Sequence, residues 1–143
     1  DFLFIDCPPS LGILNQNAMA FCSEVFIPTS TDFLGFDALR KMKLIVEEIN
    51  RTYKHQMEIT TVIPTLYDRR SRLGKETLQE MQGLFPGIVT EPIHHNTKLK
   101  EAPKFGKSIF GYAPSSTGAK DYARVVEQVL ERGAMVMEEV VAQ

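Results

Sequence analysis

Short apolar runs alternate with longer amphipathic stretches along this chain. The runs occupy residues 2–5, 24–30, 57–66 and 88–93, with proline or small polar residues at or near the end of each. Such runs are typical of strands buried on both faces of a parallel sheet, although Pro92 weakens the fourth. Apolar residues at helical spacing predict helices at residues 11–22, 33–50, 71–85 and 115–139, and a short turn or helix at residues 98–104. This alternation predicts an α/β fold, a parallel sheet flanked by helices.

The first run is followed directly by a carboxylate, Asp6, and then by the Pro8-Pro9 pair. Asp6 should therefore lie at the carboxyl end of a strand, the edge at which open α/β sheets bind ligands. Mg²⁺ prefers oxygen ligands and keeps several waters, so a single Asp can hold it. The alternative is that Asp6 only ends the strand or caps the helix that follows.

The composition is that of a soluble globular protein. The chain is 43% hydrophobic and 24% charged, with a net charge of −2. Its 143 residues are enough for one domain with a core and too few for two. No apolar segment approaches membrane-spanning length. Cys7 and Cys22 lack metal-ligand spacing, and reduced thiols in a cytosolic protein explain them most simply. The chain opens inside a predicted strand without an initiator Met, which predicts a piece of a larger protein.

Positive charge is concentrated in one part of the chain. Half of the 16 Lys and Arg residues lie between positions 69 and 107. They are Arg69, Arg70, Arg72, Lys75, Lys98, Lys100, Lys104 and Lys107. Such clustering is the footprint of phosphate-backbone binding, and without interleaved aromatic residues it predicts little sequence specificity. The alternative is an ordinary charged surface.

Two other motifs resemble binding sites but do not predict one. Residues 105–108, Phe-Gly-Lys-Ser, resemble the end of a phosphate-binding loop, but Glu101 stands five residues before Gly106, where that motif requires glycine, and no predicted strand precedes it. His94 and His95 follow Glu91, yet adjacent residues at a strand end point to opposite sides and rarely share a metal ion.

Several strings together resemble the ParA/Soj family of partitioning ATPases. These are Phe-Ile-Asp-Cys-Pro-Pro-Ser-Leu-Gly at 4–12, the loop at 68–74, Leu-x-Glu-Ala-Pro at 99–103 and the stretch at 115–122. The resemblance implies a Rossmann-like, P-loop NTPase-like fold and, for the intact protein, ATP with Mg²⁺ as cofactors and a homodimer. Residues 1–143 alone are expected to bind neither cofactor. It also implies sequence-nonspecific DNA and a ParB-type protein as partners, in the cytoplasm at the nucleoid and without a membrane.

The resemblance also assigns individual residues. Asp6 takes the place of the aspartate that helps to hold Mg²⁺. Arg70 and Lys98 take the places of DNA-binding arginines, the second changed to lysine, with Arg69 and Arg72 beside them. Asn96 and His94 fall near the adenine. Because the family commonly has Pro-Arg-Asn where this chain has His-His-Asn, Asn96 is the stronger of these two assignments.

The family's phosphate-binding loop and its water-positioning aspartate would lie upstream of Asp1. Residues 1–143 are therefore expected to form a single C-terminal portion of a ParA-like ATPase domain, with an unpaired sheet edge and no ATP hydrolysis of its own. Two alternatives stay open. One is a MinD-like or other deviant Walker ATPase acting at membranes or on metal clusters, against which stand the acidic tail and the lack of a Cys-x-x-Cys pair. The other is a non-catalytic α/β module that binds DNA or a protein.

Overall fold

The computed structural model describes residues 3–7 and 12–141. From Ile13 to Leu84 the helices and strands alternate in the order that the apolar pattern predicts, whereas the strands predicted at residues 2–5 and 88–93 are not found among the described residues. The elements are α1 (Ile13–Phe21), β1 (Glu24–Ser30), α2 (Phe33–Tyr53), β2 (Glu58–Thr65), α3 (Arg72–Leu84), α4 (Thr97–Glu101), a 3-10 turn (Ala102–Phe105), α5 (Ile109–Tyr112) and α6 (Thr117–Val141).

The sheet is parallel and has β2 in its middle. On one side β2 pairs with β1, Glu58 lying opposite Glu24 and Thr65 opposite Ser30. On the other side it pairs with residues 88–95 through parallel bridges at Val89 and His94. These bridges do not extend into a continuous strand, because Pro92 lies between them and has no N–H to donate. The prediction of a strand at residues 88–93 is therefore wrong, because the segment forms two isolated bridges and no strand.

The main core lies between the sheet and the helices that follow its two strands. Five buried side chains form it, one from each strand and three from α2 and α3 or its end: Ile27, Leu39, Val62, Met81 and Phe85. A smaller cluster joins the end of α2 to the start of β2 through Val46, Ile49 and Met57. The amphipathic pattern of α2 and α3 therefore serves the purpose that the sequence indicates, which is to cover the sheet.

The prediction of a first strand at residues 2–5 is wrong for the residues that the structure describes. Residues 3–7 form no strand, and Leu3 and Phe4 are 75% and 70% exposed. A buried strand needs a hydrogen-bonded neighbour and cover on both faces. The Phe4 ring packs edge-on against Phe26, with ring centroids 5.9 Å apart, but residues 3–7 stay exposed. The second edge of β1 has no partner strand among the described residues. The Pro8-Pro9 pair that follows Asp6 in the sequence lies outside the described residues.

The helices differ from the prediction mainly at their ends. Helix α2 continues to Tyr53, α6 passes through Gly133, and α5 was not predicted at all. Four residues are too short for a periodic apolar signal, and α5 begins at a cap, where the Ser108 hydroxyl accepts a hydrogen bond from the Gly111 N–H.

Gly35 provides a test of how tightly the turn after β1 is packed. A Cβ atom at this position would lie 2.2 Å from the Ser30 carbonyl oxygen, which is backbone and cannot move aside. We expect Gly35→Ala to lower the free energy of unfolding by about 1–3 kcal/mol, as overpacking does.

Gly83, on the exposed side of α3, is the matched control because a Cβ there would meet nothing within 4 Å. We expect Gly83→Ala to raise the free energy of unfolding by about 0.5–1 kcal/mol, the helix-propensity gain. Urea unfolding followed by circular dichroism measures both, and equal effects of the two substitutions would contradict the packing of this turn.

Candidate nucleotide and nucleic-acid site

The loops after β2 and after the 88–95 segment meet at one edge of the sheet. Their parallel pairing continues past Thr65, where the Tyr67 N–H donates to the Ile93 carbonyl oxygen and the His95 N–H donates to that of Tyr67, each at 3.0 Å. Carboxyl ends of parallel strands share an edge, and ligands of open α/β sheets bind there. Arg70 follows one of these ends and Lys98 the other, so the structure brings the two loops that carry the predicted site residues to the same edge.

A cavity of about 260 Å³ opens at this edge. It is lined by Thr65, Leu66, Ile93, His94, Asn96, Leu99, Lys100 and Tyr122. Leu66 reaches it from a left-handed backbone conformation, with φ of 54°. The volume lies just below the usual range for drug-sized ligands, which suits one heterocycle better than a whole nucleotide.

His94 is fixed at the wall of this cavity by a buried carboxylate. Asp121, whose side chain is only 2% exposed, accepts a hydrogen bond at Oδ2 from the His94 backbone N–H at 3.0 Å, and the same oxygen lies 3.0 Å from ring Nδ1. The Arg124 guanidinium stands 3.7 Å from Oδ1 of the same carboxylate. The Tyr67 ring packs edge-on against the imidazole, 5.4 Å between centroids. The imidazole is therefore anchored in both position and orientation.

Asn96 serves the fold as well as the cavity. Its Oδ1 accepts the Lys98 backbone N–H at 2.8 Å and so caps α4. Its amide nitrogen has no hydrogen-bond partner in the described part of the chain, which leaves two N–H donors for a ligand. His95 is exposed and does not line the cavity.

The side chains that line the cavity suit a nucleotide base better than a metal ion. Apolar walls from Leu66, Ile93 and Leu99, with a few polar atoms from His94 and Asn96, are what a planar heterocycle requires. Asp6 is exposed and makes no hydrogen bond or ion pair with another described residue. A single free carboxylate fits Mg²⁺ held largely by water and phosphate. The described residues contain no group of three or more His, Cys, Asp or Glu that could hold a metal ion.

The predicted DNA-binding arginines differ in how free they are. Arg69 and Arg70 lie in the exposed turn before α3, where Arg70 is held by its backbone N–H bonding to the Asp68 carboxylate at 2.9 Å. Neither guanidinium has a partner among residues 3–7 and 12–141. Arg72, the first residue of α3, pairs instead with Glu76 at 2.7 Å. Arg69 and Arg70 can therefore bind an anion without breaking an existing contact.

Lys98 belongs to a small polar cluster with Glu101 and Tyr112. The Lys98 ammonium lies 2.8 Å from Glu101 Oε2, and the Tyr112 hydroxyl donates to the same oxygen at 2.8 Å. These two hydrogen bonds, that from Lys98 first, lower the pKa of Glu101 from its ordinary value. The bond to Glu101 in turn raises the pKa of Tyr112. Lys98 must share its charge with Glu101 before it can bind a phosphate.

The expected lack of aromatic residues in the basic region needs a correction. Phe105 is 56% exposed and stacks on Tyr112 with ring centroids 5.1 Å apart, and the Lys98 ammonium lies 5.8 Å from the Tyr112 ring. Sequence spacing hid this pair because its members are brought together by the turn at Gly106, which adopts φ of 61°. The same turn shows that residues 105–108 are no phosphate-binding loop, since a 3-10 turn rather than a strand leads into them.

Asp121 was missed by sequence reasoning, although a signal exists. It stands four residues before Val125 and therefore on the buried face of α6. A carboxylate on the apolar face of an amphipathic helix needs partners, and the backbone N–H and ring of His94 supply them.

No helix within residues 3–7 and 12–141 combines the length and apolarity required to cross a bilayer.

The Glu101 cluster predicts a change in tyrosine titration. Because the hydrogen bond to Glu101 stabilises the protonated phenol, Tyr112 in the folded state holds its proton to higher pH than in the unfolded state. This contribution to stability is present below the ordinary tyrosine pKa of 10.0 and is lost as pH rises through the folded value. We expect Glu101→Gln to lower the Tyr112 pKa, as followed by NMR of the ring carbons.

Tyr53 is the control for this titration, since its hydroxyl bonds to the neutral Gln16 side chain. The ring resonances of Tyr53 at neutral pH should be the same in the Glu101→Gln variant and in the unsubstituted chain. An unchanged Tyr112 titration would contradict the cluster.

Comparisons with known proteins show what this chain is similar to. A family model described as an AAA domain matches residues 1–59. The chain is 31% identical over 132 residues to the chromosome partitioning protein ParA of Caulobacter vibrioides, which covers 92% of this chain and 49% of that protein. It is 33% identical to the chromosome-partitioning ATPase Soj of Treponema pallidum, over 92% of this chain and 53% of that protein.

A third relative and a solved structure are also similar to this chain. The sporulation initiation inhibitor protein Soj of Bacillus subtilis is 33% identical over 93% of this chain and 53% of its own length. The structure of apo McdA from Cyanthece superposes with a TM-score of 0.67 at 17% identity, covering 78% of this chain and 46% of that one. This likeness shows the fold. The chain spans about half the length of the curated relatives that it matches, and over that span it is similar to the ParA and Soj partitioning proteins.

Proposed function

We propose that this chain works in a ParA-type partitioning ATPase, as one C-terminal unit of its ATPase domain that supplies the base-binding and DNA-binding edge. The observation that carries the proposal is the meeting of the free arginine turn and the cavity at one carboxyl edge of a parallel sheet. The similarity to chromosome partitioning proteins supports it.

The cavity is proposed to take the adenine of ATP. Leu66 and Leu99 offer apolar surface, and Asn96 offers the two unused N–H donors of its amide. Asp6 is proposed to hold Mg²⁺ with water and phosphate ligands. When bound, ATP with Mg²⁺ supplies the phosphoryl group that the ATPase hydrolyses. Phosphoryl transfer depends on groups positioned around the γ-phosphate, and the sequence contains no phosphate-binding loop motif to provide them.

The arginine turn is proposed to bind DNA phosphates without reading sequence. Arg69 and Arg70 are exposed and unpaired within the described residues, while Arg72 and Lys98 must first loosen an exposed ion pair. Exposed ion pairs contribute little, so both can still assist once a phosphate is close. A net charge of −2 gives the chain no general attraction to DNA, so any binding must come from this local surface.

The partners proposed are a ParB-type protein and a second copy of the protein, in the cytoplasm at the nucleoid. They follow from the family, whose named relatives act in chromosome partitioning.

A paired arginine substitution tests the DNA assignment. We expect Arg69→Ala with Arg70→Ala to weaken binding of mixed-sequence duplex DNA roughly two- to thirtyfold, since each exposed contact contributes roughly 0.2–1 kcal/mol. Two lost phosphate contacts should also reduce the slope of log affinity against log salt by about 1.8. Fluorescence anisotropy at several salt concentrations, with and without ATP and Mg²⁺, measures both quantities.

Arg51→Ala is the matched control. Arg51 is equally exposed but lies at the end of α2, toward the amino edge of the sheet, and pairs with Glu48 at 3.6 Å. Its removal should leave both the affinity and the salt slope unchanged. Equal losses from the two substitutions would reduce the effect to general charge and overturn the assignment, whereas strong salt-sensitive binding that ignores ATP would favour the non-catalytic DNA-binding module.

A further inference from the structure

We propose that Asp121 fixes the His94 imidazole with its proton on Nδ1, and that Nε2 of His94 thereby selects a purine with a 6-amino group over one with a 6-oxo group. The inference rests on the proposed binding of a purine nucleotide at the cavity. It assigns the selection of the base to His94, whose side-chain orientation depends on Asp121, a buried residue in α6.

The tautomer follows from the atoms that Asp121 presents. An ionised carboxylate accepts hydrogen bonds and cannot donate them. Its Oδ2 lies 3.0 Å from His94 Nδ1 and also accepts the His94 backbone N–H. Arg124, 3.7 Å from Oδ1, supplies the positive charge that a buried carboxylate needs. Nδ1 must therefore carry the hydrogen, and in the neutral imidazole Nε2 carries a lone pair.

The ring is also held in direction. The backbone of His94 pairs with Tyr67 across the sheet, and the Tyr67 ring packs against the imidazole at an interplanar angle of 67°. His94 lines the cavity with its side chain 33% exposed. Nε2 has no hydrogen-bond partner among residues 3–7 and 12–141. An oriented acceptor without a partner is thus available at the wall of a cavity whose other polar lining comes from Thr65, Asn96, Lys100 and Tyr122.

An acceptor at this position distinguishes two kinds of purine. The 6-amino group of adenine can donate a hydrogen bond to Nε2, whereas the 6-oxo group of hypoxanthine places one lone pair against another. Loss of a hydrogen bond that leaves a half-buried acceptor unpaired typically corresponds to about a tenfold change in affinity. A carboxylate that fixes the tautomer of a functional histidine acts in the same way in many metal sites.

A purely structural role for the pair makes a different prediction. If Asp121 only ties α6 to the segment that carries His94, the tautomer would be the same but the base would not matter. Measurement of the tautomer alone cannot separate the two roles, and binding alone cannot show their cause, so both readouts are needed.

The first measurement is ¹⁵N NMR of the histidine rings of the unsubstituted chain near neutral pH. We expect His94 to show protonated Nδ1 and unprotonated Nε2. The opposite tautomer would overturn the inference without any substitution.

The second measurement is titration of the chain with ATP and with inosine triphosphate, which differ at the 6-position, followed by amide shifts at His94 and Leu99. We expect ATP to bind about tenfold more tightly. His94→Phe keeps a flat ring against Tyr67 but removes Nε2, so the two affinities should become equal through a loss of ATP binding. Asp121→Asn keeps an oxygen that can accept both bonds and should retain the preference.

His95→Phe is the matched control, because His95 is the exposed neighbour that does not line the cavity. It should keep the tenfold preference. Equal binding of ATP and inosine triphosphate by the unsubstituted chain would overturn this inference while leaving the proposed function in place. Failure of either nucleotide to shift the cavity resonances would overturn the proposed base site and this inference with it.

Discussion

Hydrogen bonding of β2 on both of its sides is the constraint on which the rest of the structure depends. One side holds β1 in parallel register, and the other holds the 88–95 segment. Because both pairings are parallel, the loops that leave them emerge at the same edge. The loop from β2 carries the free arginines, and the loop from the third segment carries His94 and Asn96. Without the second pairing, these loops would have no fixed relation, and the cavity between them would not exist.

The positive charge that this edge can offer to a ligand depends on which of its cationic side chains already form ion pairs. The Arg72 and Lys98 side chains lie in helices, where a carboxylate three or four residues on satisfies each of them. Arg69 and Arg70 lie in a turn, which has no such periodic neighbour, and Asp68 is occupied by the backbone N–H of Arg70. Helical cations are therefore partly neutralised by their own helix, while turn cations stay available. Counting lysines and arginines along a sequence does not reveal this difference.

Much of the fold could be predicted from the sequence because the apolar pattern of α2, α3 and β2 is strong and local. Helix and strand periods differ, and each of these elements buries the face that its pattern indicates, including Leu39 and Val62. The same logic predicted a strand at residues 2–5, and the described part of that run, residues 3–5, forms no strand. An apolar run only states that burial would be favourable. Whether a strand forms depends on a hydrogen-bonded neighbour, which the pattern of the run itself does not encode.

The site was predictable only where a motif carried it. Arg70, Lys98, Asn96 and His94 were found by resemblance, and the structure brings their loops together, but their roles in binding stay predictions. Asp121, Glu101 and the Phe105–Tyr112 stack depend on contacts between distant positions, for which no short motif exists.

The burial of Asp121 is instructive on physical grounds. Stability alone does not favour a carboxylate on the apolar face of α6, because burying a charge costs several kcal/mol before its partners offset the loss. Leucine at that position would join Ala119 and Val125 in the interface at no such cost. What leucine could not do is hold the His94 backbone and ring at once, through two hydrogen bonds to one oxygen. The charge is compatible with the fold because those donors and Arg124 surround it. The same contacts that satisfy Asp121 determine which nitrogen of His94 remains to meet a ligand, so the structural role and the positioning role depend on the same atoms.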